Sequence, residues 1–238
     1  MRLMRTFDSN SSLGQHERKL SLYSMLPEQA FAVVQRIMAH TPNLTILKAD
    51  DTSSLTNVAR SHDAPTMRWS QFTALPSVVP ELQELKSFKI VKEFVAQPRG
   101  ASTQTAASNA ASTSAGDQIS VPLGALTPFR SLVVLHFEVS VKLKFKKGDV
   151  PRDAFPVLKD LHLRSCHTSI LKLFTLFELP ALRCLGLYSR AQTGQDAGDF
   201  LEAHGPNIQE LDIQYFPTES VLGMCSALQT LHVRERKP

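Results

Sequence analysis

The chain has 238 residues, of which 42% are hydrophobic and 20% charged, with a net charge of +4 at neutral pH. That is enough apolar material to bury a core, and too mild a basic excess to require an acidic partner. The three cysteines, Cys166, Cys184 and Cys225, are an odd, widely spaced set that supports neither a disulfide framework nor a paired zinc motif; no run approaches the roughly 18 apolar residues of a membrane span, and the first residues lack a signal-peptide core. We expect a soluble intracellular protein of the cytoplasm or nucleus, without a membrane partner.

Residues 1–15 are polar and unpatterned and are expected to be a disordered tail. In Glu17-Arg-Lys-Leu-Ser-Leu-Tyr23, Leu20 and Leu22 alternate with polar residues as in a half-buried strand. Leu26-Pro-Glu then opens a helix in which Ala30, Val33, Val34, Ile37 and Met38 recur at helical spacing until Pro42 stops it. The pattern weakens between Ala49 and Leu85, where a degenerate unit around Met67 to Phe72 fits the space. Residues 97–120 are small and polar, cannot bury enough surface to offset the entropy of ordering, and are expected to be a disordered insertion. From Val139 to Lys147 apolar and basic residues alternate, which predicts an extended strand or a hairpin arm. Return helices are expected over Ser169 to Phe177 and Asp196 to His204, and two helical turns over Thr218 to Met224.

One phrase recurs along this path: Pro42-Asn-Leu-Thr-Ile-Leu-Lys-Ala, Pro156-Val-Leu-Lys-Asp-Leu-His-Leu, Pro180-Ala-Leu-Arg-Cys-Leu-Gly-Leu and Pro206-Asn-Ile-Gln-Glu-Leu-Asp-Ile. Weaker copies are Leu85/Phe88/Ile90, Leu132/Leu135/Phe137 and Leu228/Leu231/Val233. From Leu132 the first apolar positions fall at 132, 158, 182, 208 and 228, in steps of 26, 24, 26 and 20. A period of this size marks a stack in which each unit supplies one strand and a return segment and buries its apolar face only against its neighbours. The predicted architecture is therefore one α/β solenoid domain over residues 16–238, a horseshoe with a parallel concave sheet and helices or irregular turns on its convex side. No polar capping unit is visible after the last copy, which reads as a fragment of a longer solenoid, a truncated product, or a stack continued by pairing.

Side chains alternate across a strand, so the residues between the leucines should form columns on the concave face. The central column is predicted as Ser21, Lys48, Lys89, His136, His162, Gly186, Asp212 and His232; one flanking column includes Asp160, Cys184 and Glu210, and the other Glu138, Arg164, Tyr188, Gln214 and Arg234. His136 and His162 should lie side by side with Glu138, Asp160 and Arg164 around them. Such a set could hold a metal or an acid/base pair, but a mixed polar face on an open surface is the commoner outcome. As a recognition surface Tyr188 and Arg164 have the chemistry of anchors, and Glu210 and Asp212 against Arg164 and Arg234 supply charge variety. The residues expected to bind a partner are thus Lys89, His136, Glu138, Asp160, His162, Arg164, Tyr188, Glu210, Asp212, Gln214, His232 and Arg234.

Lys142, Lys144, Lys146 and Lys147 could touch phosphate, yet they alternate along one segment without interleaved aromatics, which argues for a soluble edge and against nucleic acid. No Gly-rich phosphate loop, nucleophile elbow or paired metal-ligand motif occurs, so neither a catalytic residue, a metal nor a cofactor is expected.

The units Phe155 to Cys166, Leu179 to Leu187 and Gly205 to Ile213 resemble the repeats of leucine-rich-repeat proteins of the F-box type, especially the large fungal set. The resemblance runs from about Leu20 to Val233 with gaps. It implies a non-catalytic, protein-binding horseshoe that selects substrates for a ubiquitin ligase of the SCF type, whose Skp1 adaptor is held by an N-terminal F-box. It also implies that Cys166 bonds along a ladder of loops, although the matching positions hold Thr52, Glu93, Ser140, Arg190, Phe216 and Arg236. Leu26-Pro-Glu resembles the opening of an F-box helix and Trp69 its closing tryptophan, but repeat sequence follows at Pro42, so an F-box is not evident. The alternative is a truncated or degenerate repeat scaffold with no ligase link.

Overall fold

A computed structural model describes residues 11–23, 30–50, 66–91, 118–120, 126, 129–139, 142–145, 151–188, 195–214 and 222–234. Its repeating element is a turn. Five times a proline follows the first residue of a turn that is closed by an amide two positions later: Leu44 donates to the Thr41 carbonyl (3.1 Å), Leu82 to Val79 (3.2 Å), Leu158 to Phe155 (3.3 Å), Leu182 to Leu179 (3.1 Å) and Ile208 to Gly205 (3.0 Å). Proline's fixed φ suits this position, and its missing N–H is not needed there. Leu132 and Leu228 close the same turn onto Phe129 and Cys225 without a proline.

After each turn the chain enters a strand. In order, β1 is Lys19–Tyr23, β2 Ile46–Asp50, β3 Thr66–Arg68, β4 Glu84–Val91, β5 Gln118–Ser120, β6 Val134–Val139, β7 Lys142–Lys144, β8 Asp160–Arg164, β9 Cys184–Tyr188, β10 Glu210–Ile213 and β11 Thr230–Val233. Eight of them line up as β1-β2-β4-β6-β8-β9-β10-β11, β3 joins the sheet beside the end of β4, and β5 and β7 form a separate pair. Neighbouring strands are parallel throughout. The protein is thus α/β with a nine-stranded, parallel main sheet. A shared acceptor links each unit to the next: the Val133 carbonyl takes the amides of Lys159 and Asp160, Lys159 those of Arg183 and Cys184, and Arg183 those of Gln209 and Glu210.

Parallel strands need crossovers, which here include helices. These are α1 (Ala30–Ala39) between β1 and β2, α2 (Trp69–Val78) between β3 and β4, α3 (Ser169–Thr175) between β8 and β9, and α4 (Gln195–His204) between β9 and β10. The core lies on the leucine side of the sheet: Leu47, Leu85, Leu135, Leu161, Leu185 and Leu211 are fully buried in adjacent rungs. Burying one such side chain contributes about 1.5–3 kcal/mol. A row of rings runs beneath them, with Phe72 4.8 Å from Phe129, Phe129 5.9 Å from Phe155 and Phe155 5.7 Å from Phe174. Cys166 belongs to this core; its sulfur accepts the Val139 amide at 3.3 Å, and burial pushes its thiol up to about 12.

The β4 register differs from expectation. Leu85 pairs with Leu135 and Lys86 with His136, after which Ser87 bulges out at φ 65° and Phe88 pairs with Phe137. The repeat phrase here is Pro80-Glu-Leu82-Gln-Glu-Leu85, and the apparent spacing Leu85/Phe88/Ile90 arises from one inserted residue that re-aims the strand. Lys89 therefore leaves the central column, where Lys86 takes its place, and stands opposite Glu138.

The segment around Met67 to Phe72 is the short strand β3 running into α2. The alternating stretch after Val139 does not fold back as a hairpin: Lys142–Lys144 pairs in parallel with Gln118–Ser120. Those three residues close the expected insertion 97–120, whose remainder lies outside the described residues, as does most of Thr218 to Met224. At the N-terminus Ser11–His16 form a short 3-10 helix inside the expected tail, and residues 1–10 lie outside the described part. No helix among the described residues is long and apolar enough to cross a membrane.

Candidate functional site

The face opposite the leucines is built by the residues between them. In register, His136 stands beside His162, His162 beside Gly186, Gly186 beside Asp212 and Asp212 beside His232. One flanking row runs Val134, Asp160, Cys184, Glu210 and Thr230; the other runs Lys89, Glu138, Arg164 and Tyr188. The predicted columns from β6 onward are observed as far as the strand pairing runs, with Gln214 and Arg234 just past the ends of β10 and β11.

Seven of the twelve predicted residues form one connected network. Asp212, 4% exposed, sits at its centre. Its carboxylate accepts from Arg234 Nε at 3.0 Å and from the Tyr188 hydroxyl at 2.7 Å. Burial would raise the Asp212 pKa, but the Arg234 guanidinium and the Tyr188 hydroxyl outweigh it and hold the carboxyl below its ordinary value. The Tyr188 ring lies under Arg234, 5.1 Å from guanidinium carbon to ring centre, with Arg164 at 6.0 Å. Burial and the Asp212 carboxylate both raise the Tyr188 pKa, so the hydroxyl stays protonated.

The network continues to a histidine pair. His162 Nδ1 meets the Tyr188 oxygen at 2.7 Å. On the other edge of the ring His162 Nε2 lies 2.9 Å from Asp160 Oδ1, and His136 Nε2 lies 3.1 Å from that same oxygen. The two imidazoles pack with centroids 4.1 Å apart. His136 Nε2 and Asp160 Oδ1 are buried atoms at contact distance without a hydrogen bond of proper alignment. Burial lowers the His136 pKa more than Asp160 restores it, and His162 pushes the same way. Burial works against the Asp160 carboxylate, yet the facing imidazoles hold it well below the usual carboxylate range.

Gly186 makes this arrangement possible. A Cβ there would fall 2.5 Å from His162 Nδ1 and 2.9 Å from the Tyr188 oxygen, so a side chain at 186 would displace the pair. Cys184 completes the wall, with its sulfur 3.5 Å from His162 Nε2; burial and the nearby carboxylates, Asp160 foremost, push its thiol up to about 12.

The remaining predicted residues stand apart from this centre. Lys89 and Glu138 pair at 3.4 Å, His232 and Glu210 at 3.4 Å across more exposed rungs, and the Gln214 amide donates to the Leu187 carbonyl at the strand end. Glu84 and Lys86, paired at 2.9 Å, share this face, and only the bulge at Ser87 hid them from a reading by leucine spacing. Cys184 and Gly186 were legible as column positions, but nothing in their residue types announced a contact with His162. A groove of about 650 Å³ beside α3 and α4, lined by Arg152, Phe177, Glu178 and His204 among others, includes none of the twelve predicted residues.

The face as a whole offers a polar, half-buried surface with an ordered line of hydrogen bonds from Arg234 through Asp212 and Tyr188 to His162. No family model, no curated protein and no solved structure matches this chain.

Proposed function

We propose that this chain is a leucine-rich-repeat solenoid whose open strand face binds another protein. The observation that carries the reading is the ladder itself: units closed by one turn, each donating two amides to a single carbonyl of the preceding unit, with consecutive strands adjacent and parallel. Proteins built this way have a core that grows by addition and a broad strand face left for recognition. Tyr188 flanked by two arginines, with Asp212 beneath, gives that face an aromatic and guanidinium anchor of the type enriched at interface centres. Because the anchors are held by one another, little side-chain entropy remains to be lost on docking.

A role as the substrate-selecting arm of a ubiquitin ligase rests on the resemblance to F-box proteins alone. Leu26-Pro-Glu, which resembles an F-box opening, lies outside the described residues; the helix after it, α1, is a crossover between the parallel strands β1 and β2, which favours its being part of a repeat. The runner-up is a scaffold of the same architecture without a ligase link.

Photo-cross-linking tests the reading. A cross-linker at Arg164 or Gln214, on the open face, should trap a discrete protein in cells, whereas one at Lys172 or Glu202, on the helices, should not. Arg164→Ala should abolish that capture with the circular dichroism spectrum unchanged. Equal capture from both sides would refute the proposal. Binding of purified Skp1 to the intact chain would establish the ligase connection, and failure to bind would leave the scaffold.

A further inference from the structure

The hydrogen-bond order along the open face fixes a tautomer. Asp212 is a carboxylate and only accepts, so the proton between it and Tyr188 belongs to the tyrosine. The Tyr188 oxygen can then only accept from His162, which places a proton on His162 Nδ1. A neutral His162 is left with a lone pair on Nε2, 2.9 Å from the carboxylate oxygen Asp160 Oδ1 and answered only by the weak donor Cys184 Sγ at 3.5 Å. His136 Nε2 crowds the same oxygen at 3.1 Å. Acceptors at such distances need something positive between them. A neutral His136 can turn its one proton to Nε2 and toward Asp160, but that contact lacks hydrogen-bond alignment, and His162 Nε2, its proton committed to Nδ1, still faces the carboxylate.

With the His136 proton on Nδ1, a single divalent cation would answer all three lone pairs at once. Among the described residues His136, Asp160 and His162 are the group whose donor atoms converge, all within 4.8 Å of one another. Tetrahedral zinc with bonds near 2.1 Å needs donors about 3.4 Å apart, so these contacts have only to open by a few tenths of an ångström. Two imidazole nitrogens and one carboxylate oxygen are a donor set suited to zinc and not to magnesium or calcium, which prefer oxygen alone. The second shell is also present. Metal-binding histidines characteristically donate their other ring N–H to an oriented acceptor, and here His162 does so to Tyr188, which Asp212 and Arg234 hold in turn. Gly186 leaves the room the ring needs in order to sit there.

We propose that His136, Asp160 and His162 form a zinc site on the open strand face, with Tyr188 as the positioning residue for His162. The three side chains are 27%, 28% and 18% exposed, so the ion would be held in the wall of the face with its outer side toward solvent. This site does not depend on the docking proposal, and either can fail without the other.

The test is calorimetric titration of the full chain, stripped with chelator, with zinc chloride and in parallel with magnesium chloride. One zinc should bind per chain and raise the melting temperature, with no response to magnesium. Asp160→Asn keeps the shape of the side chain and should weaken zinc binding at least about 100-fold, as should His136→Ala. Tyr188→Phe keeps all three ligands but removes the acceptor that orients His162, and should cost about 10- to 100-fold. His232→Ala, on the same face, should bind zinc as the parent does. In the cobalt-substituted protein the intensity of the visible absorption reports four-coordinate geometry, and Tyr188→Phe should alter it. Absence of stoichiometric zinc binding by the parent chain would overturn the proposal. So would undiminished affinity in Asp160→Asn, which decides the matter even if His136→Ala does not fold.

Discussion

Leu161 and His162 are neighbours in β8. Leu161 is fully buried between Leu135 and Leu185 of the flanking rungs, while His162 lies 18% exposed between His136 and the hydrogen of Gly186. The leucine side is held by shape: each side chain touches its counterparts above and below, and any apolar group of similar volume would serve. The histidine side is held by direction. Arg234, Asp212, Tyr188 and His162 each fix the next one's proton, so a change of one atom type alters the whole line. One face thus gives the fold most of its stability, and the other holds a fixed order of polar groups.

The largest effect that would break this contrast is on the apolar side. Leu161→Ala should lower the free energy of unfolding by about 2–5 kcal/mol, because the packed neighbours can close only part of the cavity; urea unfolding measures it. On the polar side, Asp212→Ala should cost about 1–2 kcal/mol in the same assay, since it strands the Tyr188 hydroxyl while the largely exposed Arg234 turns to water.

A buried titratable group on the core side sharpens the comparison. His204, at the end of α4, is 5% exposed and bonds to the Phe174 carbonyl at 3.2 Å; burial lowers its pKa, by more than that bond restores. Unfolded, it would take up a proton near pH 6.5, so the unfolded state binds more protons in the window below that value. Its contribution is therefore intact above about pH 6.5 and lost as pH falls through the lower folded value. Melting temperatures of His204→Gln should fall less steeply than those of the parent between pH 7 and 5, and parallel curves would contradict this account.

The smallest expected effect concerns the irregular rung. Ser87 occupies the left-handed region at φ 65°, where an L side chain is strained. Ser87→Gly should stabilise the protein by about 0.5–1 kcal/mol, and a valine there should do the reverse. A neutral glycine substitution would mean that the bulge is set by its neighbours alone.

These regions also differ in how readily the sequence discloses them. From Leu132 onward, phrase and rung coincide, because a proline-led turn followed by two alternating leucines leaves one way to bury both. In β4 the inserted Ser87 makes Leu85/Phe88/Ile90 imitate the phrase one step too late, and hydrophobicity alone cannot detect a residue that turns the backbone instead of filling the core. The signal that resolves it is Pro80, two residues before Leu82, which obeys the same turn rule as Pro156 and Pro180. At the candidate site, alternation was enough to bring His136 beside His162 and Asp160 beside Cys184. It could not yield the hydrogen-bond order from Arg234 to His162, which depends on rotamers, nor show that Gly186 matters through the side chain it lacks. The β5 and β7 pair escaped because Gln118–Ser120 closes a stretch of small, polar residues that carries no strand signal of its own.

The row of phenylalanines has a practical consequence. Phe72 lies before the long stretch between β4 and β6, whereas Phe129, Phe155 and Phe174 lie after its midpoint, so the rings join the two sides of that stretch independently of the backbone. Cleaving the polypeptide between Val91 and Gln118 would remove one covalent link while sparing those ring contacts and the β4–β6 ladder. Two separately expressed pieces divided there should reassemble, which makes this the natural seam for a split-protein complementation pair.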